Sequence, residues 1–173
     1  MHLLFATSIV PDGALASGYE IANAAIIAAL RRAGARVTVI GFTWPGKAAM
    51  DPENTVVLGA IDVRTEGASP LQKLAWVGKA IFSGLTFASV KLRAVSDHDV
   101  QAAIERAGPF DGYVLNSVQF AGAFEKLFEG RPSIFVAHNV EHLSARENAA
   151  AAGGIFQRLL FRREARLLKL VEE

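Results

Sequence analysis

Short apolar runs recur along the chain, separated by segments in which apolar residues return every three or four positions; this alternation predicts strands and helices in turn. Residues 3–8 form the first run and close on Thr7 and Ser8. A continuous apolar run of this length suits a strand buried on both faces. Pro11, Asp12, Gly13, Ser17 and Gly18 then make a turn-rich connection. A helix is predicted over 18–33, with Gly34 placed to end it. Residues 24–30 are apolar in every direction, so this helix is expected to lie between the sheet and other helices. Residues 37–42 read as a second strand, followed by a Thr-Trp-Pro-Gly turn. Strand, helix and strand within about 40 residues make a βαβ unit, and its sheet is parallel.

Residues 55–63 are apolar enough for one or two short strands, although Gly59 interrupts them. A helical pattern covers 70–93 with an expected break near Gly84, and a shorter helix covers 97–107, ended by Gly108 and Pro109. Two more buried strands are predicted at 112–116 and 133–137, with a helix over 120–128 between them. From Leu143 onward the tail is helical in pattern, broken at Gly153 and Gly154, and residues 158–173 keep apolar side chains at helical spacing. There is no internal repeat, linker or low-complexity tract. The expected architecture is a single α/β domain over 1–173: a doubly wound, mostly parallel sheet with helices on both faces.

Composition narrows the function. Of 173 residues, 51% are hydrophobic and 20% charged, which supplies a sizeable core. Eighteen basic residues against seventeen acidic ones leave a net charge of +1, which gives no reason to expect nucleic acid as a partner. The absence of cysteine excludes disulfides, thiolate metal sites and cysteine nucleophiles. The longest run without a charged residue, 112–124, is 13 residues, shorter than the roughly 18 of a membrane span. The start lacks a basic segment of the secretory kind, so a cytoplasmic location is expected.

In an open parallel sheet, ligands bind beyond the carboxyl ends of the strands. Polar residues follow three predicted strands there: Ser8, the pair Asn116 and Ser117, and the segment from His138 to His142. Ser17 and Gly18 open the first helix, where unpaired backbone N–H groups and the helix dipole favour an anion such as a phosphate. The alternative is that these residues only make the turn. No dinucleotide fingerprint or Walker loop is present: Gly13 and Gly18 are five apart, and Gly18 is followed by Tyr19 and Glu20. The letters from His138 to His142 match H-x-x-E-H, a zinc-peptidase signature in which both histidines bind metal and Glu141 acts as base. That motif needs both histidines on one helix, whereas His138 closes an apolar strand, so no metal is expected. A neutral histidine at a strand end instead suits hydrogen bonding to a hydroxyl or proton transfer near neutral pH. For His142 the simpler expectation is a helix-start residue packed locally.

Residues 1–42, the segment SIFVAHNVEHLSARENA and the tail FRREARLLKLVEE together resemble the N-terminal half of a GT-B glycosyltransferase. The subgroup is the retaining, family-four-like "group 1", whose members include enzymes of bacterial surface-polysaccharide synthesis. The likeness spans essentially the whole chain, and a strand followed by His-Asn-Val-Glu is its most specific part. It implies two Rossmann-like domains facing across a cleft, the N-terminal one receiving the acceptor and the C-terminal one holding a nucleotide-sugar donor. The loop over 11–18 would lie near the donor diphosphate; many members carry Gly-Gly where this chain has Ser17 and Gly18. His138 matches the cleft histidine and is the expected catalytic residue; Asn116, Asn139, Glu141 and His142 are expected around the acceptor. The resemblance implies no metal and no cofactor beyond the nucleotide-sugar co-substrate. The family's two donor-site glutamates, separated by seven residues, belong to the C-terminal domain, which is expected to be missing from this chain; Glu164 and Glu172 share that spacing and are read as coincidence. Without that domain the chain alone is expected to transfer little or nothing.

One further segment stands apart. Residues 67–96 contain no Asp or Glu but carry Lys73, Lys79, Lys91 and Arg93, interleaved with Leu74, Trp76, Ile81, Phe82, Leu85 and Phe87. Basic and aromatic residues without acids suit contact with anionic lipid at the inner face of a membrane, while a core helix with solvated lysines is the plain alternative. A saccharide or lipid-linked acceptor, and a homodimer formed through exposed apolar surface, complete the expected partners. The readings that remain open are a transferase domain, a non-catalytic binding module with this fold and, as the least favoured, a zinc hydrolase.

Overall fold

A computed structural model of the chain describes residues 1–14, 17–64 and 67–172. Positions 15 and 16 of the expected phosphate loop, and Glu173 at the end of the expected tail helix, lie outside the described residues. Five strands, β1 (His2–Ile9), β2 (Arg36–Thr43), β3 (Thr55–Ala60), β4 (Gly112–Leu115) and β5 (Ser133–Phe135), form one sheet in the order β3-β2-β1-β4-β5. Every pairing is parallel, and Leu3 stands opposite Val37 on one side and Gly112 on the other. The doubly wound α/β architecture is therefore present.

Strand β1 is central, and its alternating side chains supply both cores. Leu4 and Ala6 join Ile40, Phe42, Ile104 and Phe120 on one face, while Leu3 and Phe5 join Val37, Val39 and Ile27 on the other. Each fully buried large apolar side chain here contributes about 1.5–3 kcal/mol. Helix α1 (Gly18–Arg32) covers the second face. Helices α3 (Phe87–Leu92), α4 (Asp97–Ala107) and α5 (Val118–Phe124) cover the first. Helix α2 (Pro70–Ser83) is separated from α3 at Gly84, whose φ of 73° is the left-handed cap expected of that glycine. Helices α6 (Glu141–Ala151) and α7 (Ile155–Glu172) close the chain and pack through Ala145, Ala165 and Leu168.

Two expectations are corrected. Helix α1 is not sandwiched between layers, because Ile21, Ala25 and Ala29 face solvent and only Asn23 and Ile27 are buried. Alanine adds so little apolar surface that an outward row of it leaves the pattern uniform without calling for a second partner layer. The strand expected over 133–137 is shorter and lies at the sheet edge, with Ser133 and Ile134 exposed. A three-residue edge strand is buried on neither face. Residues 55–63 give one strand only, ending at Ala60 after Gly59.

The sheet is irregular beside the site. The β1–β2 register shifts between Ala6 and Ile9, passing over Thr7 and Ser8. A Cβ on Gly41 would lie 2.3 Å from the Thr7 carbonyl oxygen, so the strands approach there more closely than any side chain permits. Irregular steps of this kind commonly re-aim side chains next to binding sites.

Candidate functional site

The chain leaves β1 toward β2 by way of α1 and leaves β4 toward β5 by way of α5, so the connections diverge between β1 and β4. A crevice opens beyond the carboxyl ends at such a switch point. A cavity of about 700 Å³ occupies it, and Ser17 and Gly18 line it together with His138, Asn139 and Glu141. Tyr19, Trp44 and Phe135 add aromatic surface; Ser8, Ser117 and Gln119 add neutral polar groups. Glu20 and Glu141 are its carboxylates, and no Lys or Arg lines it among the described residues.

Beneath the cavity runs a buried chain of hydrogen bonds. Asn23 Nδ2 donates to Thr7 Oγ1 at 3.2 Å, and Asn116 Nδ2 donates to Asn23 Oδ1 at 2.6 Å. That leaves Asn116 Oδ1 facing His138 Nε2, 3.2 Å away. An amide oxygen only accepts, so donor–acceptor logic assigns the proton to Nε2 and leaves Nδ1 of the neutral ring as the acceptor. Tyr19 seals the arrangement. Its hydroxyl lies 2.6 Å from Thr7 Oγ1 and donates to the Asn116 carbonyl at 3.2 Å, and its ring meets the His138 ring edge-on at 4.8 Å between centroids. A parallel link joins the hydroxyls of Ser8 and Ser117; Ser117 also caps α5 by accepting from the N–H groups of Gln119 and Phe120.

The expected phosphate residues are engaged in a helix cap. Ser17 Oγ accepts from Glu20 N–H at 3.2 Å, and Glu20 Oε2 accepts from Ser17 N–H at 3.0 Å. This capping box satisfies two of the end groups and puts a carboxylate where an anion would sit. A phosphate here would have to displace Glu20 from Ser17 N–H.

The remaining site residues divide. His138 and Asn139 lie in the exposed loop between β5 and α6, and Glu141 opens α6 at the cavity wall. Asn116 is fully buried beneath the cavity, so it holds His138 and does not line the wall itself. His142 does not line the cavity: its Nδ1 bonds the Glu172 carboxylate, whose other oxygen accepts from Glu141 N–H at 2.7 Å. The zinc arrangement also fails, because α6 begins at Glu141 and His138 precedes it. Glu164 Oε1 accepts from Phe87 N–H at 2.8 Å, and burial pushes its carboxyl above the usual range despite that bond and the nearby Arg163. Both tail glutamates thus act inside this domain.

Among known families, curated proteins and solved structures, none matches the chain. Tyr19, Asn23, Thr7 and Trp44, together with Glu20, Gln119 and Phe135 on the cavity wall, are site residues that sequence reasoning did not single out. One signal was available for Asn23. It is the lone amide in an otherwise apolar helical stretch, and a buried polar group needs a partner.

Proposed function

We propose that the chain is the acceptor-side domain of a retaining, GT-B-type glycosyltransferase, which moves a sugar from a nucleotide-sugar to a saccharide or lipid-linked acceptor. The observation that carries this reading is the makeup of the switch-point cavity: aromatic walls, neutral polar groups and two carboxylates around one oriented histidine, without a lysine or arginine among the described residues. Sugar hydroxyls are both donors and acceptors, and sugar rings stack on aromatic faces, so this lining suits a saccharide better than a diphosphate. In the proposed role His138 Nδ1 accepts from an acceptor hydroxyl, while Asn116 and Tyr19 hold the ring for it. Asn139 and Glu141 accept from further hydroxyls. The donor phosphate would contact the α1 end only after Glu20 turns away, with the remaining donor contacts coming from a separate domain.

A lipid-linked acceptor is consistent with α2. Leu71, Leu74 and Phe82 are exposed on its outer side with Lys79 next to them, and Phe82 is 93% exposed. Among the described residues no helix is long and apolar enough to cross a membrane, so α2 would lie along the surface. Trp76, Lys91 and Arg93 take no part in that contact. Lys91 Nζ reaches the Val63 carbonyl and the Trp76 ring, and Arg93 pairs with Asp97.

A binding module without transfer is the second reading, favoured by the Ser17–Glu20 capping box. One titration separates the two. Amide resonances of the chain are followed while mono- and disaccharides, then a nucleoside diphosphate, are added. The transferase reading expects saccharide-dependent shifts at Gly18, Tyr19, Ser117 and Asn139, weakened in His138→Ala, with a weaker diphosphate response at Gly18. A saccharide response with no diphosphate response favours the module. Saccharide shifts confined to surfaces away from the cavity, or none at all, would sink both.

A further inference from the structure

We infer that the α6–α7 junction is a binding site for a phosphate group, separate from the switch-point cavity. Arg146 of α6 and Arg158 and Arg162 of α7 line a recess of about 400 Å³ whose other lining residues are Ala149 and Ala150. No carboxylate lines it among the described residues. Arg158 donates to the Ala152 carbonyl at 3.3 Å, and neither Arg146 nor Arg162 has a hydrogen-bond or ion-pair partner among the described residues.

The clustering is the physical anomaly. Arg158, Arg162 and Arg166 follow one another at four-residue spacing along α7, where like charges repel, and Arg146 of the packed neighbour adds a fourth cation. The helix's two glutamates are turned to other tasks, Glu164 on Phe87 N–H and Glu172 on Glu141 and His142. An anion resting among the guanidinium groups removes that repulsion. Planar forks match phosphate oxygens in pairs, and the small side chains of Ala149 and Ala150 leave room for a tetrahedral group. Ile155, Phe156 and Leu159 are exposed at the start of the same helix, so the phosphate of an amphiphile fits as well as a free one.

Two probes distinguish the sources. In the first, inorganic phosphate is titrated into the chain at constant ionic strength against chloride, and amide resonances of Ala149, Ala150 and Arg162 are read. In the second, the chain is sedimented with vesicles of phosphatidylcholine mixed with phosphatidylglycerol. A phosphate response that Arg146→Gln with Arg162→Gln weakens about tenfold or more supports the site and a soluble ligand. Vesicle binding removed by those two changes but kept in Phe82→Ser supports it as well and points to a lipid phosphate. The inference is overturned if chloride gives the same shifts, if the double variant responds as the parent does, or if neither probe binds. All these exchanges are at exposed positions, so the fold survives them. The transferase reading fails or stands by the saccharide titration, which does not involve these arginines.

Discussion

The two walls of the switch-point cavity are built differently. The β1–α1 wall rises from an eight-residue central strand buried from Leu3 onward, and its helix starts in a reciprocal capping box. The β5–α6 wall hangs from a three-residue edge strand, and α6 has no side-chain cap at Val140. Besides the short β4–β5 pairing and the small α6–α7 cluster of Ala145, Ala165 and Leu168, polar contacts hold the second wall: His138 on Asn116, and Glu172 on the first turn of α6. One wall is thus fixed by the main core, and the other by a short edge pairing, a small satellite cluster and a few polar bonds. Elements with few buried apolar contacts open at lower free energy, so the β5–α6 wall is the one able to move around a ligand.

The largest test acts on the junction. Asn116→Leu deletes an amide that serves both walls and leaves Asn23 Oδ1 and His138 Nε2 without their partner. Leaving the buried Asn23 Oδ1 unpaired costs about 1–3 kcal/mol and the lost bond to the exposed His138 adds about 0.5–1.5 kcal/mol, so a loss of about 3 kcal/mol is expected in chemical denaturation. His138 should also lose its preference for the Nε2–H tautomer, read from its ring nitrogen shifts. A stability change below about 1 kcal/mol, with the tautomer retained, would mean that the walls are not joined through this residue.

The next test acts on one wall only. Glu172→Ala removes the acceptor for Glu141 N–H and the partner of His142, with an expected cost of about 1–3 kcal/mol. Hydrogen exchange should quicken at Asn139, Val140 and His142 and stay unchanged at Tyr19 and Asn23. Equal acceleration on both walls would show that the two do not open independently.

The same contrast explains what was legible in the sequence. Runs such as 3–8 and 37–42 announce the central strands because burial on both faces demands uninterrupted apolar residues, and the glycine at 84 marks its break because only a left-handed cap suits it there. His138 and Asn139 could be placed at the cavity since strand ends point that way in any open parallel sheet. The Asn23–Asn116–His138 chain was not visible. Its members are 93 and 22 positions apart, and nothing local in their surroundings records such a pairing. The role of Glu172 was hidden for a similar reason: a helix-end glutamate reads the same whether solvated or reaching 31 residues back to Glu141.

The smallest effects are expected on the fixed wall, where cap and glycine can be separated. Ser17→Ala removes the hydroxyl that accepts from Glu20 N–H, at a cost of about 1 kcal/mol. Gly18→Ala should cost almost nothing and gain a little helix propensity, because a Cβ there meets no atom within 4 Å and the position has no left-handed φ. If Gly18 is needed only for a phosphate to come close, its alanine variant keeps full stability and saccharide binding but loses the nucleoside diphosphate response. Retention of all three would assign Ser17 and Gly18 to the turn and the cap alone, and would move the donor contact off this wall.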